Sequence, residues 1–238
     1  MRLLRITGDG EFTLSEHSDP HIPAYAILSH TWAVRNEEEV TFEDMSNGSW
    51  RNKPGYRKLQ FCARQAARDR LQYFWVDTCC IKKSSDAELS EALNSMFRWY
   101  QKAAKCYAYL ADVPSANVDQ SVWEPAFRRS RWFTRGWTLQ ELIAPLSVHF
   151  FSSEGHYFGD RASLAQQIHE TTGLPISALQ GGSLSEFTIT EKLSWVQRRT
   201  TKREEDMVYC LFGLASVYMP IIYGEGKDNA LIRLQQAI

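Results

Sequence analysis

A chain of 238 residues with 44% apolar and 13% aromatic side chains holds material for one large α/β core or two small ones. Lys+Arg 27 against Asp+Glu 28 leaves a formal charge of -1, which excludes a basic nucleic-acid surface and an acidic solvating tail, so no nucleic-acid partner is expected. Five scattered cysteines (Cys62, Cys79, Cys80, Cys106, Cys210) lack a C-x-x-C pair, and no apolar run is long enough for a signal peptide or a membrane span; the expectation is a cytoplasmic protein with reduced thiols.

In chain order, Tyr25-Ala26-Ile27-Leu28-Ser29 is an apolar run that predicts a first strand, left through polar Ser29-His30-Thr31. Leu59, Cys62, Ala63, Ala66, Ala67 and Leu71 form a helical stripe after Gly55, and Tyr73-Phe74-Trp75-Val76-Asp77 reads as a second strand. Ser85-x-x-Glu88 predicts a capping box ahead of a helix carrying Leu89, Ala92, Leu93, Met96, Phe97 and Tyr100. Cys106-Tyr107-Ala108-Tyr109-Leu110 is a third strand, followed by a polar loop at about 114–120. A short helix from Trp137 to Ile143, stopped by Pro145, precedes a fourth strand at Val148-His149-Phe150-Phe151.

From about Asp160 the pattern is helical, with a second capping box at Thr188-x-x-Glu191 and stripes at Met207, Val208, Leu211, Leu214 and at Ala230, Leu231, Leu234. Strands this apolar, spaced by helix-length segments, predict a mainly parallel sheet with helices on both faces. The organisation expected is one domain over 1–238: an α/β core at 1–155 and a mostly helical extension at 156–238 packed on it.

Ligands of open parallel sheets bind beyond the carboxyl ends of the strands. That edge receives Ser29, His30, Thr31 and Trp32 from the first strand, Asp77, Thr78, Cys79 and Cys80 from the second, and Asp112 from the third. His30 reads equally well as a histidine bonded to backbone, Asp77 as a cap of the following turn, and the two cysteines as buried apolar filler. Arg131-Trp132-Phe133-Thr134-Arg135-Gly136-Trp137-Thr138-Leu139-Gln140-Glu141-Leu142 concentrates aromatic rings and arginines around one carboxylate, a setting that shifts carboxylate pKa values. No ligand spacing for zinc, no G-x-x-x-x-G-K-[ST] loop and no G-x-G-x-x-G fingerprint occurs, so no metal or cofactor is expected. Gly224-Glu225-Gly226 predicts a tight turn into the last helix. Arg198, Arg199, Lys202 and Arg203 beside Glu204, Glu205 and Asp206 read as a solvated, self-paired face, with phosphate binding as the lesser alternative.

Tyr25-Ala26-Ile27-Leu28-Ser29-His30-Thr31-Trp32, Phe74-Trp75-Val76-Asp77-Thr78-Cys79-Cys80-Ile81 and Arg135-Gly136-Trp137-Thr138-Leu139-Gln140-Glu141-Leu142, joined by Glu205-Asp206-x-x-Tyr209 and Tyr223-Gly224-Glu225-Gly226, closely resemble the fungal heterokaryon-incompatibility (HET) domain over nearly the whole chain. Lys82 departs from the Asp usual after the Cys-Cys-Ile run. The resemblance implies a cell-death effector of fungal non-self recognition, similar to N-terminal domains of NOD-like receptors and switched on by self-association, with a downstream nucleotide-binding oligomerisation domain as the expected driver. A chain closing at Ile238 is then expected to be an isolated or excised effector. HET domains also resemble TIR domains, which implies a flavodoxin-like core. Trp137-Thr138-Leu139-Gln140-Glu141-Leu142 has the spacing of the plant TIR Trp-Cys-Leu-x-Glu-Leu motif, whose glutamate serves to cleave NAD.

By that resemblance Glu141 is the expected catalytic carboxylate of an NAD nucleosidase, with NAD as substrate rather than cofactor. Ser29, His30, Trp32, Asp77, Thr78, Arg135 and Trp137 are the expected binding residues, Trp137 or Trp32 stacking on nicotinamide and Arg135 meeting the diphosphate. The alternative is a non-enzymatic signalling and oligomerisation module that recruits an executioner, with the Trp and Arg cluster as its interface hot spot.

Overall fold

In the computed structural model, which describes residues 1–8, 11–114 and 119–238, the chain opens on a hairpin that its apolar pattern conceals. Strands β1 (Arg2–Ile6) and β2 (Phe12–Glu16) pair antiparallel, yet only Leu3, Leu4 and Phe12 are buried, too few for a period-two signal. The four expected strands follow as β3 (Tyr25–His30), β4 (Tyr73–Trp75), β5 (Lys105–Tyr109) and β6 (Val148–Phe151). A seventh, β7 (Tyr157–Asp160), escapes the pattern because only Gly159 of its residues is buried.

The sheet order is β2-β1-β4-β3-β5-β6-β7. The inner four strands are parallel, with Ala26 opposite Phe74, Ile27 opposite Cys106 and Cys106 opposite Val148. The β1 and β7 strands close the parallel block with antiparallel pairings. Taken alone, that block has its second strand beside its first, then its third and fourth: a flavodoxin-like α/β order. Every residue of β3 is buried, as a strand sandwiched between helix layers requires. The direction of chain crossover reverses around β3, so polar groups leaving β3 and β4 meet at one edge.

Helices α1 (Phe42–Asn47), α2 (Tyr56–Arg68), α3 (Asp77–Cys80), α4 (Asp86–Lys102), α5 (Gln120–Arg128) and α6 (Thr138–Ile143) accompany the sheet. Both faces are covered. Tyr107 and Tyr109 of β5 meet the Phe61 ring of α2, while Ser29 and Cys106 turn the other way to bond Glu141 of α6. Ser85 caps α4 by accepting the Glu88 N–H, but the box stays half closed: Glu88 instead takes the Lys82 N–H at 2.7 Å and the Arg2 guanidinium at 2.9 Å. Of the expected loop at 114–120, residues 115–118 lie outside the described residues, and Gln120 already belongs to α5.

The sheet runs to Asp160, past residue 155. Beyond it the regular elements are helices: α7 (Ala165–Thr172), α8 (Ile176–Leu179), α9 (Ile189–Ser194), α10 (Asp206–Tyr209), α11 (Phe212–Ala215) and α12 (Gly226–Ala237). Thr188 and Glu191 complete the second capping box, and Gly224 and Gly226, both at positive φ, make the turn into α12. Two glycines let this region seat closely. A Cβ at Gly213 would stand 2.0 Å from Phe97 Cβ of α4, and one at Gly136 would stand 2.4 Å from Thr201 Cγ2. The seam continues as backbone bonds from Gly136 N–H to Thr200 O at 3.0 Å and from Thr200 N–H to Thr134 O at 2.6 Å. All five cysteines are buried free thiols, and among the described residues no helix is long and apolar enough to cross a membrane.

Candidate functional site

At the carboxyl edge of β3 and β4 the chain encloses a cavity of about 360 Å³. Its walls include His30, Trp32, Asp77, Arg135, Trp137 and Glu141 of the expected set. The Asp77 carboxylate stands where β4 gives way to α3. It accepts His30 Nε2–H at 3.0 Å, the Trp32 indole N–H at 2.8 Å and Lys83 Nζ at 3.4 Å. Burial alone would push Asp77 up, but Lys83, His30 and Trp32 outweigh it and hold the carboxyl well below the usual range.

Glu141 sits on α6 at the inner end and is 7% exposed. The Ser29 hydroxyl donates to Glu141 Oε2 and in turn accepts the Trp132 indole N–H at 2.8 Å. Burial pushes Glu141 up to about 8, and the charge of Asp77 adds to it; Ser29, Tyr100 and Arg199 pull the other way without prevailing. The cavity therefore holds two carboxylates of opposite character, one ionised and one neutral near pH 7. Such divergence is a mark of acid–base and electrostatic sites.

The extension supplies the opposite wall: Lys202, Arg203, Asp206 and Tyr223. This overturns half of the solvated-face reading of 198–206. Lys202, Arg203 and Glu204 are exposed, but Arg199, Glu205 and Asp206 are buried, each with a specific partner. Arg199 donates to Arg135 O at 2.9 Å and Thr138 Oγ1 at 3.0 Å. Glu205 accepts the Gly224 and Gly226 N–H groups, and Tyr223 donates its hydroxyl to Asp206 at 3.0 Å. Tyr209 donates to Glu225 at 2.6 Å, so Glu205-Asp206-x-x-Tyr209 and Tyr223-Gly224-Glu225-Gly226 interlock as two halves of one clamp. Burial raises Asp206, against hydrogen bonds from Tyr223 and Trp137, which makes it a third carboxylate on the cavity.

Two expected binding residues lie outside the walls. Ser29 is fully buried behind Glu141 and acts on it rather than on a ligand. The buried Thr78 hydroxyl has no hydrogen-bond acceptor or donor within reach among the described residues; it borders a smaller space of about 120 Å³ that shares Trp32 and Lys83 with the cavity. Trp32 itself carries Lys83 Nζ at 3.6 Å and Lys202 Nζ at 4.8 Å from its ring centroid, whereas Trp137 has no cation over its ring among the described residues. Asp112 is spent on Ser130 Oγ at 2.7 Å and Arg131 N–H at 2.8 Å, and the Lys82 side chain is exposed away from the cavity. Trp132 and Phe133 are buried, so the aromatic cluster is a packed support for Glu141 rather than a surface patch.

Arg135 lines the cavity without an ion pair among the described residues, and burial pulls its pKa down. With Lys83, Lys202 and Arg203 it gives the entrance a cationic rim suited to an anionic group. Asp206 and Tyr223, absent from the expected binding set, had one legible signal, their place in the two interlocking motifs; Lys202 and Arg203 fit the lesser, phosphate-binding reading of their charge run, and Lys83 had no signal.

A model of the family described as "Heterokaryon incompatibility protein (HET)" matches residues 25–126, which carry His30, Trp32 and Asp77 but stop short of Glu141. Over the whole chain, 54% of 243 aligned residues are identical to "Vegetative incompatibility protein HET-E-1" of Podospora anserina. The chain spans only 18% of that relative's length. No solved structure matches. The family-model match and an identity this high along the full chain together place it: the chain carries a heterokaryon-incompatibility (HET) domain.

Proposed function

We propose that this chain is a cell-death effector domain of fungal vegetative incompatibility that, on self-association, hydrolyses NAD at the nicotinamide–ribose bond. The name of the Podospora relative supports the biological part, and the setting of Glu141 supports the chemical part. The reaction is NAD⁺ plus water to nicotinamide, ADP-ribose and a proton. Nicotinamide leaves as a neutral ring with the electron pair of the broken C–N bond, so no general acid is needed. A carboxylate beside the ribose stabilises the oxocarbenium-like transition state until water adds.

The observation that carries this reading is Glu141, buried at the cavity floor with its carboxyl fixed by Ser29 and its pKa pushed up to about 8. The cationic nicotinamide ring of NAD would pull that value down, so the substrate itself favours the carboxylate it needs. Trp137 offers the stacking wall and Arg135 the diphosphate contact. A volume of about 360 Å³ falls near the small end of the roughly 300–1,000 Å³ of ligand pockets and suits the nicotinamide–ribose half, the remainder reaching the cationic rim.

The test is release of nicotinamide from NAD by the assembled protein, beside Glu141→Gln at equal assembly. Turnover by the wild type and none by the variant supports the proposal. No turnover by the assembled wild type, or full turnover by Glu141→Gln, sinks it.

A further inference from the structure

Behind the cavity wall lies a buried ionic chain that no sequence motif announces. Lys58 of α2 is 8% exposed and Glu39 is 3% exposed. The three N–H bonds of the Lys58 ammonium are all used: Thr31 O at 2.9 Å, His30 Nδ1 at 3.2 Å and the Glu39 carboxylate. Glu39 also receives the Ala33 N–H, and it is held below the usual range against its burial, with the Lys58 ammonium and that N–H as partners.

An ammonium only donates, so the His30 Nδ1 that faces it must accept. The single ring proton then sits on Nε2, where it points at Asp77 Oδ1 at 3.0 Å. Asp77 gives its other oxygen to the Trp32 indole N–H at 2.8 Å. Both nitrogens of His30 are therefore engaged with protein, although its ring borders the cavity. The direction of donation is fixed from end to end, from Lys58 through His30 and, from its opposite side, Trp32 onto Asp77.

We infer that Lys58 and His30 are positioning residues: a buried Lys58–His30–Asp77 relay orients the Trp32 wall of the cavity, and His30 transfers no proton to or from a ligand. This goes beyond NAD cleavage and stands without it, since it concerns contacts within the protein alone. It resembles the way an outer partner fixes the tautomer and ring plane of a functional histidine.

The proposal is tested on the ¹⁵N-labelled chain with no ligand added. Wild-type His30 is expected as a single Nε2–H tautomer, with a Trp32 indole N–H that exchanges slowly with solvent. His30→Gln keeps an acceptor for Lys58 and a donor for Asp77 in the same relative placement, so Trp32 stays protected. His30→Ala removes both and speeds Trp32 exchange by about tenfold or more. Should His30→Ala not fold, Glu39→Gln with Lys58→Met removes the buried charges as a pair, leaving neither ion unpaired, and is expected to mix the two tautomers. An Nδ1–H or mixed tautomer in the wild type, Trp32 as exposed in His30→Gln as in His30→Ala, or Trp32 unchanged in His30→Ala would each overturn the relay.

Discussion

Glu141 and Asp77 line the same cavity, and the chain treats them in opposite ways. Asp77 is surrounded by donors and a lysine, and is held well below the usual carboxylate range. Glu141 lies among Trp132, Tyr100 and Ser29, with one strong hydroxyl donor, and burial pushes it up to about 8. The difference is one of position along the edge. Asp77 sits at a strand end that faces α2 and the cationic entrance, whereas Glu141 projects from a short helix under the sheet's other face. One carboxylate organises the wall; the other is kept neutral and poised. Predictions that separate these two roles follow from the contrast.

The largest expected effect is on turnover. Glu141→Gln is predicted to lower nicotinamide release by at least about 100-fold, the scale seen when one electrostatic partner of a transition state is removed. In the wild type, kcat/KM for NAD should climb with pH toward about 8 and then level, because the free enzyme must lose the Glu141 proton. A flat profile from pH 6 to 9 would contradict that assignment.

Stability should move the other way. The unfolded chain loses the Glu141 proton near the ordinary 4.5, while the folded chain keeps it to about 8. Folding is therefore penalised increasingly as pH rises through that window, by roughly 1.4 kcal/mol per pH unit and of order 3 kcal/mol at pH 7. Glu141→Gln removes the penalty, so urea melts should show a gain at pH 7 that shrinks toward pH 5. Asp77→Asn gives the mirror image. Its depressed value contributes stability above the ordinary 3.8 that fades as pH falls, so the variant should lose about 1.5–3 kcal/mol at pH 7 and less in acid.

The seam between sheet and extension comes next. Gly136→Ala places a methyl 2.4 Å from Thr201 Cγ2 and should cost about 1–3 kcal/mol by overpacking. Because the same seam carries Lys202 and Arg203, ligand affinity should fall together with Tm. A loss of stability with affinity intact would show that the extension is not a working wall of the cavity.

What the sequence revealed and what it hid also divide along this line. The β3, β4, β5 and β6 strands are mostly apolar runs, and the ends of β3 and β4 deliver His30, Trp32 and Asp77 to the carboxyl edge. Hairpin β1–β2 and strand β7 hid because they lie at the two margins of the sheet and bury too few residues to show a period. Lys83, two residues past the Cys-Cys-Ile run, carries no spacing or periodicity that singles it out. Asp206 and Arg199 escape the sequence reading for a physical reason: a basic block beside an acidic block looks solvated and self-paired unless the chain that buries it is known. Lys58 is the extreme case, a lysine on an otherwise apolar stripe whose acceptors, Thr31 and Glu39, lie far off in sequence.

Lys202→Met carries the smallest expected effect and sharpens the rim. Lys202 is pulled down by burial and by its like-charged neighbours Arg135 and Lys83, yet its ammonium hangs over the Trp32 ring at the open side. An exposed cation of this kind is worth about 0.5–1 kcal/mol to a passing anion, which is roughly a two- to fivefold rise in KM for NAD when it is removed. The kcat should stay put, because the rim does not touch the reacting bond. Salt gives the decisive control: at 1 M the screening length is about 3 Å, so wild type and variant should converge. A difference that survives 1 M salt would mean that Lys202 acts by shaping Trp32 rather than by charge, and the rim would then belong with Asp77 as structure.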